Sequence, residues 1–184
     1  MQTRNRLTLG SLALAAIATL AACAAPTSAT PTSAAPARAV AELKPTAGNL
    51  TSGSVTFEQH GDHVMVTAKI SGLAPNQEHG FHVHEKGDCS SPDALSAGGH
   101  FNPLGKPHGQ ENGPEHHAGD MPNLKADANG VATATFHVSG MAVGSGATDI
   151  IGRGLIVHAK PDDYRSQPVG NAGARLACAV IAKG

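Results

Sequence analysis

Two histidines on one short apolar stretch, His82-Val83-His84, begin the list of residues that could do chemistry. On a strand, residues i and i+2 share a face. The two imidazoles therefore project together, while Val83 turns to the core. A second set follows in a segment without strand alternation: His100, His108, His117 and Asp120 fall within a stretch of 21 residues. Three imidazoles and one carboxylate make a closed nitrogen–oxygen donor set of the kind that suits zinc. His116 stands beside His117, so spacing alone leaves either as the donor. A further histidine, His158, ends the apolar run Leu155-Ile156-Val157; taken alone it reads as a core histidine. His60, His63, His79 and His137 read as surface or turn residues, with an extra metal site at His60 and His63, near the first turn, as the lesser alternative. Ser-His-Asp and Cys-His nucleophile arrangements are not needed to account for any of these residues.

The elements that must hold these side chains read as β-structure. Ser54–Glu58 alternates, His60-Gly61-Asp62 turns, and Val64–Ile70 alternates again with Val64, Val66, Ala68 and Ile70 on one face. That is a hairpin with one buried side. Gly80–His84, Val131–Val138, Leu155–His158 and Leu176–Ile181 are the remaining strand candidates. Twenty-two glycines and twelve prolines supply turns. The long segment from His84 to Val131 lacks a strand pattern, and metal binding would explain how it is ordered. The fold class is all-β, in one domain of residues 43–184.

Residues 1–42 read differently. Arg4 and Arg6 precede an apolar run, Leu7–Leu20, that is short for a membrane span and ends in Leu20-Ala21-Ala22-Cys23. This resembles a bacterial lipoprotein signal: residues 1–22 would be removed and Cys23 would carry lipid. Residues 23–42, rich in Ala, Pro, Ser and Thr, read as a disordered tether. Removing residues 1–22 takes away two arginines and no acidic residue, so a chain of formal charge −1 becomes more negative and nucleic acid is excluded as a partner. Cys89 and Cys178 then remain, able to pair in an oxidising compartment or to persist as buried thiols.

Five segments in order carry a family resemblance: Gly80-Phe81-His82-Val83-His84, Gly98–Pro103, His117-Ala118-Gly119-Asp120, Gly152–His158 and Gly173–Cys178. Together they resemble the copper/zinc superoxide dismutases, over essentially Leu43–Gly184. The resemblance implies an eight-stranded Greek-key flattened barrel or sandwich with long metal-binding loops. It implies one copper ion per subunit on His82, His84, His100 and His158, and one zinc ion on His100, His108, His117 and Asp120. The pattern His-x-Gly-Asp selects His117 over His116. His100 would bridge both metals and, with Arg175 guiding the anion, belong to the catalytic machinery. Asp162 would link a zinc histidine to a copper histidine, and Cys89 would pair with Cys178. The activity implied is dismutation of superoxide by redox cycling of copper, an antioxidant role in the periplasm or cell envelope, with the chain lipid-anchored to membrane through Cys23. A non-catalytic copper/zinc-binding module on the same fold is the alternative. Four residues separate His84 from Cys89 and ten separate Cys89 from His100. This spacing resembles the bacterial exported branch. It departs from the eukaryotic pattern and its dimer contacts, and leaves a homodimer open.

Overall fold

The computed structural model describes residues 35–111 and 113–184, so the expected signal segment, Cys23 and most of the expected tether lie outside the described residues. Ten strands follow in chain order: β1 (Arg38–Pro45), β2 (Ser52–His60), β3 (His63–Ser71), β4 (Glu78–His79), β5 (Phe81–His84), β6 (Leu124–Lys125), β7 (Ala132–Ser139), β8 (Gly154–His158), β9 (Arg175–Val180) and β10 (Ala182–Lys183). An antiparallel sheet runs β5-β8-β9-β1-β2-β3-β7, with β10 added against β1. It curls into a half-barrel. β1-β2-β3 are consecutive, whereas β3 is followed in the sheet by β7 and β5 is carried across to pair with β8, crossovers of the Greek-key kind rather than an up-and-down order. β4 and β6 form a second, two-stranded sheet, and only Gly80 separates β4 from β5.

Alternation decides which side chains fill the interior. In β3, Val64, Val66, Ala68 and Ile70 are fully buried while their neighbours face outward. Phe57, Leu155, Val157 and Ile181 meet them from β2, β8 and the β9–β10 junction. The β2–β3 hairpin closes through Gly61-Asp62, where Gly61 takes the positive φ that two-residue connections need. Strands β5 and β8 are buried on both faces. One face packs in the core and the other carries the histidines.

The ordered domain starts earlier than residue 43. β1 begins at Arg38 and pairs with β2 from Arg38↔Glu58 to Leu43↔Gly53. Ala39 and Ala41 are buried in it. Small alanines and a lone valine give little apolar signal, yet cross-strand pairing along β2 and β10 holds the segment. The expected 23–42 tether therefore overlaps β1 by five residues.

Candidate metal centre

The segment that follows β5 is laced onto the edge of β5 by backbone hydrogen bonds. The Val83 N–H donates to Gly119 O, and the Val83 carbonyl accepts from the Phe101 N–H, each at 2.9 Å. Glu85 N–H donates to Gly99 O, also at 2.9 Å. The resulting bridges pair His82 with Asp120 and His84 with His100. Thus the segment that lacks strand alternation is positioned by borrowing a strand edge. A Cβ at Gly119 would overlap the Val83 carbonyl, so that close approach requires glycine.

Two clusters result, and His100 belongs to both. His82, His84, His100 and His158 bring donor atoms within 4.8 Å of one another, and so do His100, His108, His117 and Asp120; all seven residues are buried. In the first cluster the outward nitrogens of His82, His84 and His158 are each held by an acceptor, which fixes the proton there. His84 Nδ1–H donates to Gly98 O at 2.9 Å and His158 Nδ1–H to Gly173 O at 3.2 Å. His82 Nε2–H donates to Asp162 Oδ2 at 2.7 Å. The inner nitrogens are therefore lone pairs. His84 Nε2 and His158 Nε2 face each other at 3.4 Å with no proton between them. That is close to the spacing of two nitrogens sharing one ion at about 2.0–2.1 Å.

In the second cluster Asp120 is the hub. Its Oδ1 accepts from His100 Nδ1 at 2.8 Å, and its Oδ2 accepts the backbone N–H groups of His117 and Gly109 at 2.8 and 3.2 Å. His108 Nδ1 lies 3.0 Å from Oδ2 without a directed hydrogen bond. Among the described residues, five buried ring nitrogens have no hydrogen-bond partner: His79 Nε2, His82 Nδ1, His100 Nε2, His108 Nδ1 and His117 Nδ1. All but that of His79 belong to one of the clusters. A metal ion in each would satisfy them, so the donor set fits a bound pair of metals.

The local electrostatics follow from burial and these contacts. Burial, reinforced by the neighbouring His82, lowers His100 to about 4. Burial likewise pushes His84 and His158 well down, keeping both neutral. His108 is raised to about 9: burial opposes its charge, but Asp120 and Asp162 outweigh that cost. Asp120 and Asp162 sit far below the usual carboxylate range; burial works against the charge, and hydrogen bonds from the histidines override it.

Asp162 connects the clusters from behind. Its Oδ2 takes His82 Nε2–H and its Oδ1 takes His108 Nε2–H at 3.0 Å, with the Tyr164 N–H on the same Oδ1 at 2.7 Å. Asn123 clamps the Asp162 backbone through both N–H and C=O. A carboxylate behind a ligating imidazole fixes its tautomer and orientation.

The two clusters differ in access. A cavity of about 580 Å³ opens to solvent, with His84, His158, Thr46, Asn49, Leu95 and Arg175 among its lining. None of His108, His117 and Asp120 lines it. Arg175 stands opposite His158 across the β8–β9 pairing, at a β-bulge between Val157 and His158. Its guanidinium donates to Ala94 O and Gly98 O, both at 2.6 Å. Those carbonyls belong to the loop tied to β9 by the Cys89–Cys178 disulfide.

His117, not His116, joins the second cluster; His116 bonds the His117 carbonyl and turns toward Gly140. His79 is a correction. It is buried in β4, and its Nδ1–H donates to the backbone O of His158 at 2.8 Å. A two-residue strand paired to Leu124 is too short to show alternation in sequence. His60, His63 and His137 lie on the outer side of β2, β3 and β7, as a surface reading expects.

The family model for copper/zinc superoxide dismutase matches residues 51–181. A superoxide dismutase [Cu-Zn] 2 of Aquifex aeolicus is 40% identical over 148 residues, covering 78% of this chain and 86% of the relative. The superoxide dismutase [Cu-Zn] of Saccharomyces cerevisiae is 44% identical over 152 residues, covering 78% of this chain and 96% of the relative. Among solved structures, the crystal structure of the clock protein EA4 superposes with a TM-score of 0.74 at 40% identity, covering 82% of this chain and 97% of that one.

Proposed function

The chain belongs to the copper/zinc superoxide dismutase family, and we propose that its two clusters divide between the metals, copper on His82, His84, His100 and His158 and zinc on His100, His108, His117 and Asp120. The protein is an oxidoreductase that dismutates superoxide to oxygen and hydrogen peroxide with copper and zinc. Copper, when bound, supplies the redox step by alternating between two oxidation states. The single observation that carries the division is access: His84 and His158 line the open cavity with Arg175, while the Asp120 cluster is closed. A redox metal needs a position open to substrate, and a structural one does not.

The chain's own residues then have separable tasks. Arg175 places a fixed positive charge at the cavity for a small anion. Its two carbonyl acceptors hold the guanidinium plane in one orientation. His100 faces both clusters, Nδ1 toward Asp120 and Nε2 free of protein partners, which supports its reading as the bridge and a proton carrier. Asp162 keeps His82 and His108 in the tautomers that turn Nδ1 inward. Superoxide consumption measured on protein loaded with copper and zinc, against zinc alone, tests the division. Equal rates would overturn it.

The reading extends to location. Arg4, Arg6, the Leu7–Leu20 run and Leu20–Cys23 support a lipoprotein signal, with Cys23 the lipidated residue of an envelope or periplasmic protein of the bacterial exported type. The Cys89–Cys178 disulfide supports an oxidising compartment. Cys23→Ser is expected to release the protein from membranes on fractionation; a variant that still pellets with membrane refutes the anchor. All seven proposed ligands come from one chain, so a homodimer would join two complete sites, a question for sedimentation.

A further inference from the structure

Five histidines lie outside the two clusters, and strand register gathers three of them. His60 pairs directly with His63 across the β2–β3 hairpin. β3 pairs with β7 so that His63 meets Ser139 and Met65 meets His137. Val64, Val66 and Val138 point inward, as does Phe57 in β2. Alternation therefore turns His60, His63, Met65 and His137 to the outer face of three adjacent strands. The rings lie near one another. His60 and His63 stack with centroids 6.1 Å apart, and His63 meets His137 edge-on at 4.8 Å. The side chains of His60 and His63 are 43% and 37% exposed, enough for entry of an ion.

Two further contacts fit metal chemistry. His63 Nδ1 lies 3.2 Å from the Asp62 carboxylate, which accepts its proton and leaves Nε2 as a lone pair. Ligating histidines usually have such a carboxylate behind them. Glu58 Oε2 stands 3.8 Å from His60 Nε2. His60 and His63 are direct cross-strand neighbours, with Cβ atoms about 4.5–5.5 Å apart, and His63 and His137 are diagonal ones at about 7–8 Å, so His63 stands between the other two and the exposed rings must rotate about it to meet on one ion.

We infer that this outer face of β2, β3 and β7 binds a third metal ion, a copper ion, on His60, His63 and His137. Its strands are not those that carry the buried clusters, which lie on β5, β8 and the segment after β5. Copper is favoured over zinc because Cu(II) heads the divalent affinity order for such donors, and the thioether of Met65 adds a soft donor for the reduced ion.

The test uses holoprotein with both resident metals in place. Cu(II) is titrated in while calorimetry counts equivalents and electron paramagnetic resonance reads nitrogen ligation. One further Cu(II) per chain is expected. His63→Ala and His137→Ala should each weaken it by at least about tenfold, the smaller loss seen when only a supporting partner of a ligand is removed. His116→Ala should leave it unchanged, and dismutase activity should be unaltered in His63→Ala and His137→Ala. Residues 1–34 contain no histidine, so the segment ahead of the domain offers no competing imidazole. Absence of a further equivalent, or one that either His63→Ala or His137→Ala leaves intact, means an adventitious ion only and overturns the proposal. Displacement by an equal amount of Zn(II) would overturn the choice of copper.

Discussion

Replacing Asp162 with asparagine changes one atom and should strip one metal selectively. The carboxylate has two tasks, one on each oxygen. Oδ1 accepts from His108 Nε2–H and from the Tyr164 backbone N–H; Oδ2 accepts from His82 Nε2–H alone. An asparagine must keep its oxygen where two donors converge, so its NH₂ group replaces Oδ2. That group then confronts the His82 N–H, donor against donor. His82 escapes only by moving its proton to Nδ1, the nitrogen that faces the cluster, or by turning away. Either way the cluster of His82, His84, His100 and His158 loses a ligand, and the Asp120 cluster keeps all of its own. Loss of such a supporting partner costs roughly 10–100-fold in metal affinity, or about 1.4–2.8 kcal/mol. Graded chelator titration of the holoprotein, with both metals counted at each step, reads the outcome. Copper retention should fall by that factor and zinc retention should stay within about threefold. If zinc leaves first, or both metals leave together, either the amide orientation or the placing of His82 on the copper side is wrong.

Arg175→Ala should retain both metals but lower the superoxide rate by about tenfold or more and flatten its dependence on salt; an unchanged rate with unchanged salt dependence refutes the guiding role. Cys178→Ser removes a cross-link spanning 89 residues, which chain-entropy reasoning values at about 4–5 kcal/mol. Urea unfolding should show that loss, and a shift below about 1 kcal/mol would contradict it. Metal-free protein should weaken as pH falls from about 6.5 to about 4. In that window an unfolded His100 binds a proton and the folded one, lowered to about 4, does not. The effect is about 3 kcal/mol for His100, with His84 and His158 adding in the same direction. His108, raised to about 9, contributes stability below about 6.5 that is lost as pH rises through 9. Unfolding of the metal-free protein at pH 7, 5.5 and 4 checks this, and constant stability across the three refutes it.

Much of the fold was legible because alternation is strong where one face is buried. Val64, Val66, Ala68 and Ile70 announce β3, and the β2–β3 hairpin follows from its turn. β1 was missed, and its first five residues were assigned to the tether, because Ala39 and Ala41 carry little apolar signal, although both are buried. His79 was misplaced because β4 has only two residues. The donor-rich segment from His100 to Asp120 was visible as a composition. Its attachment to β5 was not, since the bonds run between backbone atoms of Val83, Phe101 and Gly119 that any sequence possesses. Asp162 and Arg175 came from resemblance alone. Nothing in the pattern around them distinguishes a carboxylate spanning two clusters from a surface acid, nor an arginine capped by carbonyls from an exposed one. The gathering of His137 with His60 and His63 depends on the β3–β7 register, which spacing along the chain does not encode.

One oxygen joins the two halves of the open site. The Gly98 carbonyl accepts from both His84 Nδ1–H and Arg175 Nη2, so a single backbone atom sets the spacing between a metal-facing ring and the guanidinium. No side-chain replacement in the loop can delete that acceptor. The loop between Cys89 and His100 is therefore free to drift in composition while its length is constrained: one residue inserted or removed ahead of Gly98 would displace ring and guanidinium at once. Variation there should appear as substitutions at constant length, and a relative that alters the length must have found another atom to hold the same interval.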